Sequence, residues 1–327
     1  MNFDVIDPRV GTQEGYALLK AVARKKSKNG SEYLDLVLAD VESEIPAKLW
    51  SYNPELHGEY RENQLVKVRG LSETFRDQPQ FRIDRIRHIQ PGDDVDMALY
   101  VPVAPEKSED MYAALIHIAE GFADADLRAL VLRLYEERHA ALLEFPAAFR
   151  LHHAVRGGLL WHTLSVARLC ENVAKIYPFL RRDLLLAGAM LHDICKLDEY
   201  IIANTGLASG YTTEGSLIGH LVQGAMLVER VGAELGVPEE TRMLLAHMLI
   251  SHHGEPEYGA ASRPLFLEAE VLSQMDLLDA EIYEFYDAGQ SVPAGEFSAR
   301  QWMLDNRKVF NHGGTGAYRP NILEGQA

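Results

Sequence analysis

The sequence predicts a multidomain chain, an N-terminal five-stranded β-barrel followed by an all-α domain. Three observations carry this expectation. Residues 16–89 hold short β-type segments separated by turn chemistry. After residue 108 apolar residues recur at helical spacing. A stretch containing Pro102 and Pro105 divides the two regions.

In the first region Tyr16–Arg24 is apolar-rich and runs into Lys25-Lys26-Ser27-Lys28-Asn29-Gly30, where Asn-Gly is a strong hairpin signal. Tyr33–Ala39 is β-prone, Asp40–Glu44 can turn, and Ile45–Trp50 returns as a third strand. Pro54–Tyr60 interrupts with loop or short-helix composition. Gln64–Leu71 and Gln80–Ile89 supply two more strands, the second alternating Phe81, Ile83 and Ile86 with charged residues. Five short strands with an interruption after the third match the OB-fold plan. Helical periodicity then marks Asp110–Glu120, Asp124–Glu144, Leu160–Ile176, Asp183–His192, Thr213–Leu235, Glu239–Ser251 and Leu265–Tyr286, with Ser298–Phe310 as a final helix. The expected organisation is a barrel over 1–92, a linker over 93–108, a helical domain over 109–310 and a Gly- and Asn-rich tail over 311–327.

The composition is that of a globular protein, 47% apolar and 24% charged. No apolar run approaches the roughly 20 residues that span a bilayer, and Met1–Val10 lacks a hydrophobic signal core. Cytoplasm and no membrane partner are the expectation. Cys170 and Cys195 form neither a CxxC pair nor a disulfide framework. The formal charge of -16 excludes a protein that coats nucleic acid by bulk electrostatics. The charge is uneven: residues 14–90 carry 13 Lys or Arg against 12 Asp or Glu, a net of +1, which leaves -17 for the remainder.

The chemistry-bearing residues form an ordered series: His162, then His192-Asp193, then His220, then His252-His253, then Asp276. A lone histidine on an apolar helix is usually packing. A series in which each member lies within or at the end of a helix is a different signal. Imidazole with carboxylate suits divalent manganese, iron, cobalt, nickel or zinc. A carboxylate between two groups of histidines can bridge two ions, and two ions can activate water and clamp both oxygens of a phosphoester displacement. Lys196, three residues after Asp193, can steady phosphate charge.

The order H…HD…H…HH…D resembles the HD superfamily of metal-dependent phosphohydrolases. More narrowly, Leu151-His152-His153-Ala154, Gly157-Gly158-Leu159-Leu160, His162-Thr163-Leu164-Ser165, Leu184-Leu185-Leu186-Ala187-Gly188-Ala189, Leu191-His192-Asp193-Ile194, Tyr211-Thr212-Thr213-Glu214-Gly215, Ile218-Gly219-His220 and Ser251-His252-His253-Gly254 are similar to the YhaM-type 3′–5′ exoribonucleases. That family also places an OB domain before its HD domain, so the resemblance covers about residues 14–290. It implies a first ion on His162, His192, Asp193 and Asp276, and a second on His220, His252 and His253, with Asp193 bridging. His247 and Asp279 are the alternative ligands. Cys195 stands where the family usually has Gly, Trp161 where it is often polar, and Gly259-Ala260-Ala261-Ser262 where Gly-Ser-Pro is usual.

The resemblance implies a manganese-dependent 3′–5′ exonuclease on single-stranded RNA, and on DNA as a second substrate, releasing nucleoside 5′-monophosphates. Asp193 and Lys196 are the expected catalytic residues. His153 and Arg156 are expected to touch the incoming nucleotide. In the barrel Tyr33, Trp50, Phe75 and Phe81 are candidate base-stacking platforms, with Lys25, Lys26, Lys28, Arg76 and Arg82 for phosphates. Two other readings stay open: an HD hydrolase of a small nucleotide, and a non-catalytic OB-type single-strand binder. The sequence also leaves a homo-oligomer open.

Overall fold

The computed structural model describes residues 11–41, 43–149, 153–318 and 320–323. Leu151 and His152 of the motifs above, the segment Met1–Val10 and the last four residues lie outside them. The contacts divide the chain into two units, Met1–Val103 with Ile201–Gly210, and Ala104–Tyr200 with Tyr211–Ala327.

The first unit holds strands β1 (Gln13–Lys26), β2 (Glu32–Ala39) and β3 (Glu44–Leu49), the short helix α1 (Pro54–His57), then β4 (Leu65–Phe75) and β5 (Gln78–His88). They close a barrel in the order β1-β2-β3-β5-β4, so no strand is left with an open edge. β1 serves two neighbours, pairing with β4 through Gln13–Leu18 and with β2 through Leu18–Lys26. A register shift between Leu19 and Ala21 bends it between them. Alternate side chains such as Leu34, Leu36, Leu38 and Ile45 fill the interior.

β4 and β5 run longer than their sequence pattern suggests. Their turn is Arg76-Asp77, both in the left-handed region (φ 51 and 61). Such a two-residue turn matches the twist of the hairpin but is normally signalled by Asn-Gly or Asp-Gly, so residues 72–79 read as loop. Residues 93–103 are not free linker. Val95, Met97 and Tyr100 pack on Leu18, Ala39 and Leu65, which keeps this stretch with the barrel.

The second unit is helical: α2 (Ser108–Glu120), α3 (Ala125–Leu142), α4 (Gly158–Ile176), α5 (Arg182–Leu191) and α6 (Lys196–Glu199). The chain then makes a hairpin of β6 (Tyr200–Ile202) and β7 (Ala208–Tyr211), before α7 (Thr213–Leu217), α8 (Gly219–Leu235), α9 (Glu239–Ser251) and α10 (Leu267–Gln290). Among the described residues no helix is long and apolar enough to cross a membrane. α5 is buried all round from Leu184 to Leu191, as a helix without a polar face must be. Gly188 lets it approach α9, since a Cβ there would stand 2.2 Å from Met248 Cε. Each large apolar side chain buried this way contributes about 1.5–3 kcal/mol.

Three expectations are corrected. Thr213–Leu235 is not one helix: Gly219 takes φ 74 and starts α8 afresh, which puts His220 in its first turn. Ser298–Phe310 is not a helix but doubles back, bridging Phe297 with Phe310 and Gln301 with Arg307 around the left-handed pair Asp305-Asn306. The described part of the tail is docked: Ile322 is buried in the helical core and its carbonyl accepts from Arg168.

The hairpin tip Ile201–Gly210 belongs to the barrel's unit. Asn204 Oδ1 accepts from Leu65 N, and its Nδ2 donates to Leu65 O, both at 3.0 Å. Asn63 Nδ2 donates to Ala208 O at 2.6 Å, and Thr205 Oγ1 to Asn63 O.

A barrel substitution tests the close packing of β4 on β5. At Gly70 a Cβ would meet Arg82 O at 2.1 Å and the Phe81 ring at 2.9 Å. Neither backbone nor core ring can yield cheaply, so Gly70→Ala should destabilise the barrel by roughly 2–3 kcal/mol. Denaturant unfolding checks this; an unchanged midpoint would show that the strands separate without cost.

Candidate metal centre

α5 ends by delivering His192 and Asp193 into the interior, and α4, α8, α9 and α10 bring the other members of the series to them. Asp193 is 2% exposed, and its two oxygens face different groups. Oδ2 lies 3.4 Å from His192 Nε2 and 3.7 Å from His162 Nε2. Oδ1 lies 3.3 Å from His220 Nε2 and 3.7 Å from His252 Nε2. Asp276 Oδ1 completes the first group, 3.0 Å from His162 Nε2 and 3.7 Å from His192 Nε2. His253 joins the second group with His220 and His252.

The other ring nitrogen of each histidine is already occupied. His162 donates through Nδ1 to Asp279, and His220 to Glu199, both at 2.8 Å. His192 donates to Ala189 O and His252 to Leu249 O, also at 2.8 Å, and His253 to Tyr258 O at 2.9 Å. Carboxylates and carbonyls only accept, so Nδ1 carries the proton and Nε2 presents a lone pair. The lone pairs of His162 and His192 then face each other at 3.2 Å. Asp193 Oδ1, His220 Nε2 and His252 Nε2 are buried with no hydrogen-bond partner. Acceptors converging in this way call for a cation, and imidazole with carboxylate is the donor set of a divalent transition metal. The residues fit such ions.

The electrostatics of the chain alone point the same way. Burial opposes charge on His162, but Asp276 and Asp279 outweigh it and push its pKa up to about 10, so without a metal ion a second proton takes the Nε2 position that the neutral ring would offer to a cation. Burial, with His253 adjacent, pushes His252 down to about 3. Burial would raise Asp193 and Asp276, yet Lys196 with the imidazoles holds Asp193, and His162 with its neighbouring imidazoles holds Asp276, far below the usual carboxyl range. Lys196 is itself buried; its Nζ lies 2.6 Å from Asp193 Oδ2, which keeps the ammonium charged against its desolvation.

Not every candidate joins the cluster. His153 cannot touch a nucleotide: it is fully buried, packed edge-on against Trp161 at 4.3 Å and beside Tyr283, with Nε2 3.7 Å from Asp279. It backs the His162–Asp279 pair. Arg156 is at the surface, bonded to Glu144. His247 accepts from Leu265 N instead of facing the centre. Asp279 grips the far side of His162. Glu199, six residues after Asp193, was missed, because a lone acid gives no sign of which histidine it will meet. Gly215 secures it: a Cβ there would stand 2.4 Å from Glu199 O.

In the barrel Phe81 is withdrawn as a platform, since it is fully buried in the core. Tyr33, Trp50 and Phe75 do share one face. Tyr33 and Trp50 stand 4.7 Å apart, and Lys48 Nζ lies 5.3 Å from each and 5.9 Å from Phe75. Trp50 and Phe75 are exposed. Lys48 was missed, although it stands on β3 two residues before Trp50. Lys25 and Arg82 are tied to Asp35 and Glu73, while Arg76 lies over Phe75.

Residues 159–281 match the HD domain family. The chain is 34% identical over 308 residues to the 3′–5′ exoribonuclease YhaM of Listeria innocua, covering 94% of this chain and 97% of that protein. It is 35% identical to the protein of the same name from Listeria welshimeri over the same shares. Identity to the Geobacillus sp. protein is 33% over 307 residues, covering 94% of each.

Metal content separates a bridging carboxylate from a supporting one. Asp193→Ala should abolish binding at both histidine groups. Glu199→Gln should weaken only the His220 group, by roughly 10–100-fold. Titration of the apo-protein with manganese measures both; full binding by the Asp193 variant would refute the bridge.

Proposed function

The chain belongs to the YhaM family of 3′–5′ exoribonucleases, and we propose that it shortens single-stranded RNA from the 3′ end, releasing nucleoside 5′-monophosphates, with two divalent ions at the histidine–aspartate centre. The reading is carried by one observation. Asp193 turns one oxygen to His162 and His192 and the other to His220 and His252, while every Nδ1 is engaged elsewhere. This supports one ion on His162, His192, Asp193 and Asp276, and another on His220, His252, His253 and Asp193, manganese foremost and iron, cobalt, nickel or zinc as alternatives. Bound there, the ions supply Lewis-acid polarisation of phosphoester oxygens and a water acidified enough to act as nucleophile near neutral pH.

The chain's own groups do the rest. Asp279 and Glu199 fix the rings of His162 and His220, so the donor set needs no rearrangement. Lys196 orients Asp193 and lines the adjoining cavity with Asp276, His252 and His253. Its ammonium is thereby available to charge that builds on a phosphate. Strand binding is assigned to the barrel face of Tyr33, Trp50, Phe75 and Lys48, where stacking on exposed rings tolerates any base.

Product analysis on a 5′-labelled RNA oligonucleotide tests the reading: a ladder of strands shortened from the 3′ end, with nucleoside 5′-monophosphates, is expected. Turnover of small nucleotides without a ladder would replace it with a small-nucleotide hydrolase.

Two variants divide the roles. Lys196→Met should lower kcat on the order of a hundredfold with metal content near normal; loss of metal would make the residue a support of Asp193 alone. Trp50→Ala should lower the ratio of long-strand to dinucleotide efficiency, since stacking contributes roughly 1–3 kcal/mol per base. An unchanged ratio would remove the barrel from substrate binding.

A further inference from the structure

The cavity beside Asp193 has a lining that hydrolysis itself does not need. It measures about 430 Å³, within the roughly 300–1,000 Å³ of small-ligand sites. Besides the centre's own residues, it is lined by α10, by Tyr258 and by Trp302–Asp305 of the segment that doubles back after α10.

That segment is firmly held. Leu304 is 1% exposed and packs with Ala288 and Val309. Arg307 bonds Glu281 at 2.7 Å and lies 5.0 Å over the Phe285 ring. On this pinned stretch Trp302 is nevertheless 69% exposed, and it faces the cavity. Tyr258, 64% exposed, lines the same cavity, and its carbonyl accepts from the candidate ligand His253. Large exposed rings fixed beside a reaction centre are the means by which proteins stack bases without reading their edges. The charge of the wall is equally specific. It carries Glu281, Glu284 and Asp305 against one neighbouring guanidinium, Arg307, which bonds Glu281 and lies 3.7 Å from Asp305, so carboxylates remain in excess. Such a surface repels phosphate and accepts hydrogen bonds from hydroxyls.

The geometry points to a terminal-nucleoside pocket, in which Trp302 and Tyr258 hold the base of the 3′-terminal nucleotide and the acidic wall faces its ribose. This deepens the exonuclease reading and rests on it. It also sets an end requirement: the strand must finish in a hydroxyl, because a terminal phosphate would meet carboxylates.

The test uses the full-length, metal-loaded enzyme with Trp302→Ala and Trp302→Phe. Three 5′-labelled RNA oligonucleotides differ only at the last residue: an ordinary nucleotide with a 3′-hydroxyl, an abasic ribose, and a 3′-phosphate. The unsubstituted enzyme should show a KM roughly five- to hundredfold higher on the abasic end, and should shorten the 3′-phosphate strand more slowly. Trp302→Ala should raise KM on the ordinary strand severalfold with little change in kcat, and should distinguish the abasic end less than the unsubstituted enzyme does, Tyr258 remaining in place; Trp302→Phe should recover most of the difference. A normal KM in Trp302→Ala, an equal rise on ordinary and abasic strands, a loss of metal, or equal rates on hydroxyl and phosphate ends would each overturn the inference. An unsubstituted enzyme that shortens none of the strands defeats the exonuclease reading instead.

Discussion

A buried carboxylate with imidazole lone pairs on both sides is the constraint around which the helical domain is arranged. Taking Asp193 out of water is costly unless positive charge meets it, and Lys196 supplies only one such contact. Placing it there requires α5, a helix with no polar face, to be enclosed by its neighbours. The close approach at Gly188 is part of that enclosure. The same constraint reaches further out. Asp279 and Glu199 are spent on orienting rings, and His153, Trp161 and Tyr283 pack behind His162 as an aromatic backing.

This outer layer explains why some polar residues are buried where no reaction occurs. His153 and Asp279 lie in the interior because His162 must not rotate. Gly215 is required by the backbone of Glu199, whose side chain holds His220. On the proposed reading, a substitution at such positions would act through the angle of an imidazole, and so on metal affinity before rate.

The barrel was legible in the sequence because Leu34, Leu36 and Leu38 alternate with half-exposed residues, and because Asn29-Gly30 carries its own turn signal. Arg76-Asp77 carries none, so the tip that presents Phe75 read as loop. The series from His162 to Asp276 was legible because its order is preserved whatever the intervening loops do. Burial was not: a candidate platform such as Phe81 and a candidate contact such as His153 look like Trp50 and Arg156 until the fold assigns them a side. The segment Ser298–Phe310 has enough apolar residues for a helix, but Asp305 and Asn306 both take left-handed backbone, which turns the chain back on itself. Hairpin β6–β7 was missed because its partner, the backbone around Leu65, is remote in sequence.

That remoteness matters during synthesis. Leu65 emerges from the ribosome 139 residues before the Asn204 that bonds both its N–H and its C=O. At about 5–20 residues per second the interval is roughly 7–28 s. Throughout it the strands can close on one another, but the N–H and C=O of Leu65 have only water for a partner. The barrel strands are therefore made before the helical domain, but their last bonds wait for a residue that lies beyond its first five helices. A message broken before residue 204 yields a barrel without its clasp, while one broken just after it yields a clasped barrel and no complete metal centre.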